Sequence, residues 1–241
     1  MTLLSASTLS TRTPSASTRS TRSLTTRTRS ASTLSASTLS TRTRSYLKVK
    51  RVVDVLACLV VLPVVGPLLV LCALAVRLDT PGPVVFSQLR TGRNGDRFRM
   101  WKFRTMVRDA EELKATLAHL NVLPPPDFKI PDDPRITRVG RLLRATSLDE
   151  LPQLLNVLGG DMSLVGPRPT SFAPQTYSLW HTARLEVTPG LTGLWQVRAR
   201  GVCTFDERLR MDIEYIRSLG PVTDLKILLW TVAAMFRRSG L

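Results

Sequence analysis

The chain has 241 residues and carries 34 lysines and arginines against 18 acidic residues, a formal net charge of +16. This length allows one ordinary catalytic domain with appendages and argues against several independent cores. The strong positive charge predicts an anionic partner, which could be nucleic acid, a membrane surface or a phosphorylated substrate. The three cysteines, Cys58, Cys72 and Cys203, have spacings that fit neither a zinc site nor a disulfide framework.

Residues 1–45 form a low-complexity tail of Ser, Thr and Arg repeats. Seven arginines and no acidic residue lie in this tail, so the rest of the chain still carries +9 of the net charge of +16. The tail has almost no large apolar side chain whose burial could offset the entropy cost of ordering it. We therefore predict that it is disordered. Two interpretations of its origin stay open: a functional basic tail, or an incorrectly chosen start codon.

The next segment, Val52–Val76, is about 25 residues long and apolar apart from one aspartate. At a rise of about 1.5 Å per residue, such a helix could cross a hydrocarbon core of roughly 30 Å. However, Pro63, Gly66 and Pro67 interrupt its middle, and basic residues flank both of its ends. Because basic flanks favour the cytoplasmic side, this pattern fits a helix that enters the membrane, bends at Gly66-Pro67 and returns better than it fits a spanning helix. We assign residues 46–80 to this re-entrant helix-break-helix.

Asp54 is the one charged residue inside the apolar segment. A carboxylate would be costly at the middle of a bilayer. Arg51 and Lys50 precede it by three and four residues, which places the three side chains on one face of a helix. We therefore predict that Asp54 pairs with these two residues near the membrane interface.

The remaining residues, 81–241, predict an α+β catalytic domain that is small and mainly helical, with a short β-hairpin. Val84–Gln88 and Phe98–Phe103 have strand-like patterns, and the Asn-Gly pair between them is a favourable hairpin turn. Thr204 and Glu207 have the spacing of a capping box at the start of a helix. The last helix is unusually apolar, which suits an amphipathic helix at a membrane interface or one in a groove under the first apolar segment. The predicted helices are Met106–Leu120, Gly140–Arg144, Glu150–Leu158, Thr204–Ser218 and Thr223–Phe236.

The densest polar cluster contains Arg144, Asp149 and Glu150, and the turn Pro167–Pro169, with Arg168 at its centre, follows it. Two adjacent acids between arginines suit a carboxylate nucleophile, a divalent metal and bound phosphates, since guanidinium groups bind phosphate in a bidentate way. A purely structural alternative exists. Ser147 and Glu150 have capping-box spacing, and acids in a first helical turn are stabilised by the helix dipole. The residues by themselves leave both interpretations open.

Several motifs, taken in order, resemble those of the bacterial sugar transferase family, the monotopic polyprenyl-phosphate phosphoglycosyl transferases. The resemblance covers essentially all of residues 48–241, and the ordered set is far more specific than any single motif. The matching stretches are Lys50–Asp54, Asp79–Pro83, Gly92–Gly95, Lys102–Met106, Asp133–Gly140, Ser147–Gln153, Asn156–Ser163, Val165–Pro169, Pro189–Gly193, Gln196 and Asp224–Ile227.

The resemblance implies a two-step transfer with a covalent intermediate. Asp149 would attack the β-phosphate of a UDP-sugar and release UMP, and the phosphosugar-aspartate would then react with polyprenyl (undecaprenyl) phosphate to give a polyprenyl-diphosphate sugar. By the same resemblance, Glu150 would ligate Mg²⁺ and Arg144 would hold phosphate. The Pro167, Arg168 and Pro169 turn would contact the nucleotide.

The resemblance also implies a location and a set of partners. The expected location is the bacterial inner membrane, with the catalytic domain on the cytoplasmic face. There the enzyme would carry out the first membrane step of exopolysaccharide, capsule, O-antigen or glycoprotein glycan assembly. The expected partners are a UDP-sugar, polyprenyl phosphate and the membrane rather than nucleic acid, and homo-oligomerisation is left open. A rival hypothesis is a basic membrane-bound adaptor, but the basic residues lie around the acidic pair and turns rather than in a stripe with interleaved aromatics.

Overall fold

The computed structural model describes residues 41–123, 128–199 and 203–236. The helices are α1 (Thr41–Asp79), α2 (Glu112–Thr116), α3 (Arg138–Thr146), α4 (Gln153–Gly159), α5 (Leu194–Arg198), α6 (Phe205–Arg217) and α7 (Pro221–Phe236). The strands are β1 (Val85–Thr91), β2 (Arg97–Phe103), β3 (Ser163–Val165) and β4 (Gly190–Thr192). Within these ranges the chain is mainly helical with short strand pairs, as the sequence predicts.

The predicted hairpin is confirmed. β1 and β2 pair antiparallel, with Val85 opposite Phe103 and Thr91 opposite Arg97. Asn94 and Gly95 in the connection both have positive φ, which is the backbone conformation that an Asn-Gly pair adopts readily. A second pair, β3 with β4, is parallel and was not predicted, because three-residue strands have too little periodicity to detect.

Two of the predicted helices are confirmed and one is wrong. The capping box of Thr204 and Glu207 at the start of α6 is confirmed, and the apolar last helix also forms, beginning at Pro221. The long helix predicted for Met106–Leu120 is wrong, since its α-helical part is only α2. Its first residues bond elsewhere: the Val107 N–H donates to the carbonyl of Arg135 at 2.9 Å, and this tertiary bond replaces a helical one.

Helix α1 is continuous and contains Pro63 and Pro67. A proline removes one helical hydrogen bond and can kink a helix without ending it, so Gly66-Pro67 does not end α1, and the re-entrant topology stays a prediction. The helix begins at Thr41, so residues 41–45 are helical rather than disordered as predicted; residues 1–40 lie outside the described residues. Among the described residues, α1 is the one helix long and apolar enough to cross a membrane, and little of its most apolar stretch is buried.

Both halves of α1 pack against the catalytic domain. In the first half, Cys58 contacts a buried cluster that includes Met100 of β2. In the second half, Cys72 and Val76 pack with Phe103 at the end of the same strand. The long helix and the hairpin therefore share a core.

The prediction that Asp54 pairs with Lys50 and Arg51 is wrong. The Asp54 carboxylate is buried and accepts a hydrogen bond from the Ser163 hydroxyl at 2.7 Å. Lys50 instead forms an ion pair with Asp224 of α7, and Arg51 donates to backbone carbonyls near the end of α4. The three side chains bind the catalytic domain because its packing buries this end of α1, and buried polar groups need well-formed partners.

Candidate active site

The two adjacent acids lie in a short turn between α3 and α4. At the start of helix α3, the Thr137 side chain accepts a hydrogen bond from the Gly140 N–H at 2.9 Å. The helix ends at Thr146 and is followed by Ser147, whose φ of 59° is left-handed. This reversal leads into the 3-10 turn Leu148–Glu150, and α4 begins only at Gln153. The Ser147 side chain does not cap the turn. The capping-box alternative and the predicted helix start at Glu150 are therefore both wrong.

A close approach of α3 to the segment after β2 fixes the position of Arg144. A Cβ atom added at Gly140 would lie 2.1 Å from the Thr105 carbonyl oxygen, so only a glycine permits this contact. The Arg144 Nε then donates to the Thr105 hydroxyl at 2.8 Å. This contact leaves the rest of the guanidinium group at the wall of a cavity.

The Glu150 carboxylate is held by two cations. Arg168 donates from both terminal nitrogens, with Nη1 3.0 Å from Oε2, and the Lys102 Nζ lies 2.9 Å from Oε1. Burial opposes the charged form of Glu150, but the charges of Arg168 and Lys102 outweigh it, so its pKa lies well below the usual value. Burial also acts against charged Arg168, but Glu150 raises its pKa above normal. Glu150 therefore stays ionised at physiological pH, and its charge is paired with those of Arg168 and Lys102.

Asp149 has the opposite electrostatic environment. It is buried, with 8% of its surface exposed, and this burial raises its pKa above the usual value for an aspartate. The charge of Lys102 opposes the rise without cancelling it, and Glu150 adds to it. A carboxylate with a raised pKa is more basic, and hence a better nucleophile, than an ordinary one. Neighbouring acids with pKa values moved apart are typical of sites that give each acid a different role.

A cavity of about 530 Å³ opens over the two acids, a size typical of small-molecule sites. Burial and the nearby Arg168 lower the pKa of Arg90 to about 10, so Arg90 is still charged at neutral pH. The wall is rich in cations, which suits a ligand with several phosphate charges. The cationic residues in the wall are Arg90, Lys102, Arg104, Arg108 and Arg144.

In the Pro167–Pro169 turn, two residues line a cavity and the third stabilises the turn itself. Arg168 and Pro169 line a smaller cavity of about 130 Å³, which shares Arg90 with the larger one. Pro167 is buried, and its carbonyl accepts the Gly190 N–H at 2.9 Å, so it orders the turn and lies in the wall of neither cavity. The smaller cavity is also basic, with Arg184 in its wall.

The sequence assigned no role to two side chains that line the larger cavity. Lys102 lies inside one of the motifs given above, and Arg90 belongs to none of them. Phe86, Gln88 and Arg90 alternate along β1 and all line the larger cavity, and Lys102 is the partner of Phe86 across the hairpin. The two-residue alternation was a signal for one shared face, but only the tertiary structure places that face over the acids.

The donor groups allow a divalent metal only if a substrate contributes to its coordination. Among residues 41–123, 128–199 and 203–236, no group of three or more His, Cys, Asp or Glu side chains could hold a metal ion. Mg²⁺ commonly binds through one or two carboxylates together with substrate phosphates and water. Asp149 and Glu150 meet this requirement, since the Glu150 Oε2 accepts a single hydrogen bond in the structure and a carboxylate oxygen can accept two.

The chain matches a known family over nearly all of the described structure. The model of the family described as bacterial sugar transferase matches residues 45–238, so the chain belongs to this family. This confirms the resemblance predicted from the motifs.

Curated relatives carry more specific names. The galactosyl transferase CpsE of Streptococcus agalactiae is 42% identical over 198 residues, which cover 81% of this chain and 44% of that protein. The UDP-glucose:undecaprenyl-phosphate glucose-1-phosphate transferase of Caulobacter vibrioides is 45% identical over 195 residues, which cover 77% of this chain and 69% of that protein. The undecaprenyl-phosphate galactose phosphotransferase of Salmonella typhimurium is 42% identical over 196 residues, which cover 79% of this chain and 41% of that protein. The chain thus spans less than half the length of two of these relatives.

Proposed function

We propose that this protein is a phosphoglycosyl transferase that moves a sugar-1-phosphate from a UDP-sugar to polyprenyl phosphate, yielding UMP and a polyprenyl-diphosphate sugar. The observation that carries the proposal is the buried Asp149, with its raised pKa, beside the doubly paired Glu150 in a cationic cavity. The names of the Caulobacter and Salmonella relatives, which specify undecaprenyl phosphate, support the same acceptor.

In the first step, a carboxylate oxygen of Asp149 forms a bond to the β-phosphorus of the UDP-sugar. The bond from this phosphorus to the oxygen that bridges the diphosphate breaks, and UMP leaves with that oxygen. Arg144 and Lys102 border the same cavity and would stabilise the charge that develops on the phosphate oxygens. The product is a phosphosugar linked to Asp149.

In the second step, a phosphate oxygen of the polyprenyl phosphate attacks the same phosphorus. The bond to Asp149 breaks, which regenerates its carboxylate and completes a diphosphate bridge between lipid and sugar. Splitting the transfer in this way replaces one difficult reaction with two easier ones. Neither step requires a net proton transfer.

We assign Mg²⁺ to Glu150, acting with Asp149 and substrate phosphate oxygens. Bound Mg²⁺ would screen the charge of the diphosphate. Arg168 holds Glu150 from the side of the smaller cavity, and that basic cavity would accept the nucleotide part of the donor. Arg168 and Pro169 would then contact the nucleotide, and Pro167 would act through the order of the turn.

We also propose that α1 is re-entrant and that the catalytic domain lies on the cytoplasmic face of the inner membrane. Support comes from the basic residues at both ends of the apolar segment and from the two prolines within it. The packing of both halves of α1 on the hairpin β1–β2 agrees with this topology, since a helix that passed straight across the membrane would carry one half away from the domain.

The decisive experiment separates the two neighbouring acids. We expect Asp149→Asn to abolish both UMP release and the covalent phosphosugar adduct, because an amide cannot form the acyl phosphate. We expect Glu150→Gln to bind Mg²⁺ more weakly, so that raising the Mg²⁺ concentration restores part of its UMP release. The measurements are UMP release from UDP-sugars, the intact mass of the protein and the Mg²⁺ dependence of both variants in detergent.

The control is Asp96→Asn, which changes an exposed acid in the hairpin turn and should leave all three measurements unaltered. A folded Asp149→Asn protein that still forms the adduct would show that Asp149 is not the nucleophile.

A further inference from the structure

A third cavity borders Glu150 and differs in chemistry from the first. It has a volume of about 200 Å³, and Ser147 and Glu150 line both it and the cavity of about 530 Å³. Among the described residues, which end at Phe236 on this side, no lysine or arginine lines it. Most of its wall is apolar, formed by Leu151, Leu164, Leu191, Val197, Leu228 and Ala234.

The apolar wall continues onto exposed apolar surface. Leu228 and Ala234 belong to α7, and on the same helix Leu225, Leu229 and Val232 are all more than half exposed. A helix with so many exposed apolar side chains suits contact with lipid. The cavity therefore lies between a candidate membrane-facing surface and Glu150.

We propose that this apolar cavity holds the phosphate-proximal part of the polyprenyl chain, so that the acceptor reaches Asp149 by a different route from the UDP-sugar. The inference rests on the proposed function and adds a binding site to it. The acceptor joins a hydrocarbon chain to a phosphate, so its site must place apolar walls beside phosphate-binding cations.

The smaller apolar cavity supplies the apolar walls, and the cavity of about 530 Å³ supplies the cations. The hydrocarbon gains from burial against leucine side chains, whereas in the larger cavity it would displace water from five cationic side chains without replacing their hydrogen bonds. At the shared edge, Glu150 holds Arg168 and Lys102, whose charges would attract the acceptor phosphate. The diphosphate of the donor fits the cationic cavity for the same reason.

A matched pair of tryptophan substitutions in α7 tests the proposal. Ala234 lines the cavity, and its neighbour Ala233 is exposed. We expect Ala234→Trp to fill the cavity and raise the KM for undecaprenyl phosphate by about tenfold or more, while UMP release and adduct formation from the UDP-sugar alone stay within about twofold of wild type. Ala233→Trp should leave both half-reactions within about twofold of wild type.

The two half-reactions make every outcome interpretable. If Ala234→Trp impairs adduct formation, the smaller Ala234→Leu replaces it, with the same expected split between donor and acceptor steps. The proposal is overturned if the acceptor KM is unchanged while the adduct forms normally, or if both half-reactions fall in parallel in both Ala234 variants. If the wild-type protein releases no UMP and forms no adduct with any UDP-sugar, the proposed function fails instead.

Discussion

At the scale of single residues, the central feature is the contrast between Asp149 and Glu150. The two acids are adjacent, but the hydrogen bonds of Arg168 and Lys102 go to Glu150. Glu150 is thereby kept ionised, whereas burial keeps the pKa of Asp149 above that of an exposed aspartate. This arrangement makes Asp149 the more basic of the two acids and holds Glu150 between two cations.

The pH dependence of the first half-reaction tests this contrast. If Asp149 is the proposed nucleophile, it must be ionised to attack, and its pKa is raised, so we expect UMP release to fall on acidification at a higher pH than an ordinary aspartate would give. Lys102 lowers that pKa, so Lys102→Met should move the acid limb to still higher pH. The measurement is the rate of UMP release against pH, with Lys114→Met, an exposed lysine, as the control. A limb that moves to lower pH in Lys102→Met would contradict the assignment.

At the scale of elements, the site depends on the contact between α3 and the segment that follows β2. Gly140 allows α3 to touch the backbone at Thr105, and this contact places Arg144 at the cavity. The wall opposite comes from alternate residues of the hairpin. Shifting one helix by the width of a methyl group would therefore move the guanidinium group that we propose binds phosphate.

Two glycine-to-alanine substitutions test how strongly stability and activity depend on the contact between α3 and Thr105. We expect Gly140→Ala to destabilise the protein by about 1–3 kcal/mol through overpacking and to lower the rate of UMP release. Gly159→Ala is the matched control, since its added Cβ would meet only the Asp161 carboxylate at 3.9 Å and the residue is helical. That control should be neutral or stabilising by up to about 1 kcal/mol. Thermal unfolding in detergent and UMP release would be compared, and a Gly140→Ala protein as stable and active as wild type would refute the role of this contact.

At the scale of the whole molecule, α1 joins the longest apolar segment to the elements that border the cavities. Its first half bears Lys50, which pairs with Asp224 of α7, and its second half ends at Asp79, which accepts a hydrogen bond from the Val139 N–H of α3 at 3.2 Å. Both ends of α1 are thus bonded to elements that border the cavities. If the prolines bend α1 within the bilayer, both ends lie on the same side of it.

Accessibility in sealed right-side-out vesicles tests this topology. Tags placed before Lys48 and after Leu241 should both be protected from external protease, because basic flanks keep both ends of the apolar segment on the cytoplasmic side. Opening the vesicles with detergent should expose both tags, which serves as the control. External cleavage of the N-terminal tag in intact vesicles would show that α1 spans the membrane.

The candidate site could be predicted from the sequence only in part. Arg144, Asp149, Glu150 and Arg168 lie close together in the chain, and the ordered motifs around them resemble one family. Lys102 and Arg90 could not be assigned in this way, since a strand pattern shows which residues share a face but not what that face covers. The role of Ser147 was ambiguous because its spacing from Glu150 fits a capping box, whether or not the two acids also form an active site.

The sequence by itself determined the features that depend on near neighbours: the β1–β2 hairpin, the capping box of α6 and the apolar character of α1 and α7. Turn geometry, capping and periodicity act over a few residues, so they can be recognised without knowledge of the fold. Only the tertiary structure decided which partners Asp54 and Glu150 bind and which cavities meet at Glu150. Asp54 and Ser163 are 109 positions apart. Pairing at such a distance follows from the packing of whole elements, because a buried charge bonds to whatever group that packing places beside it.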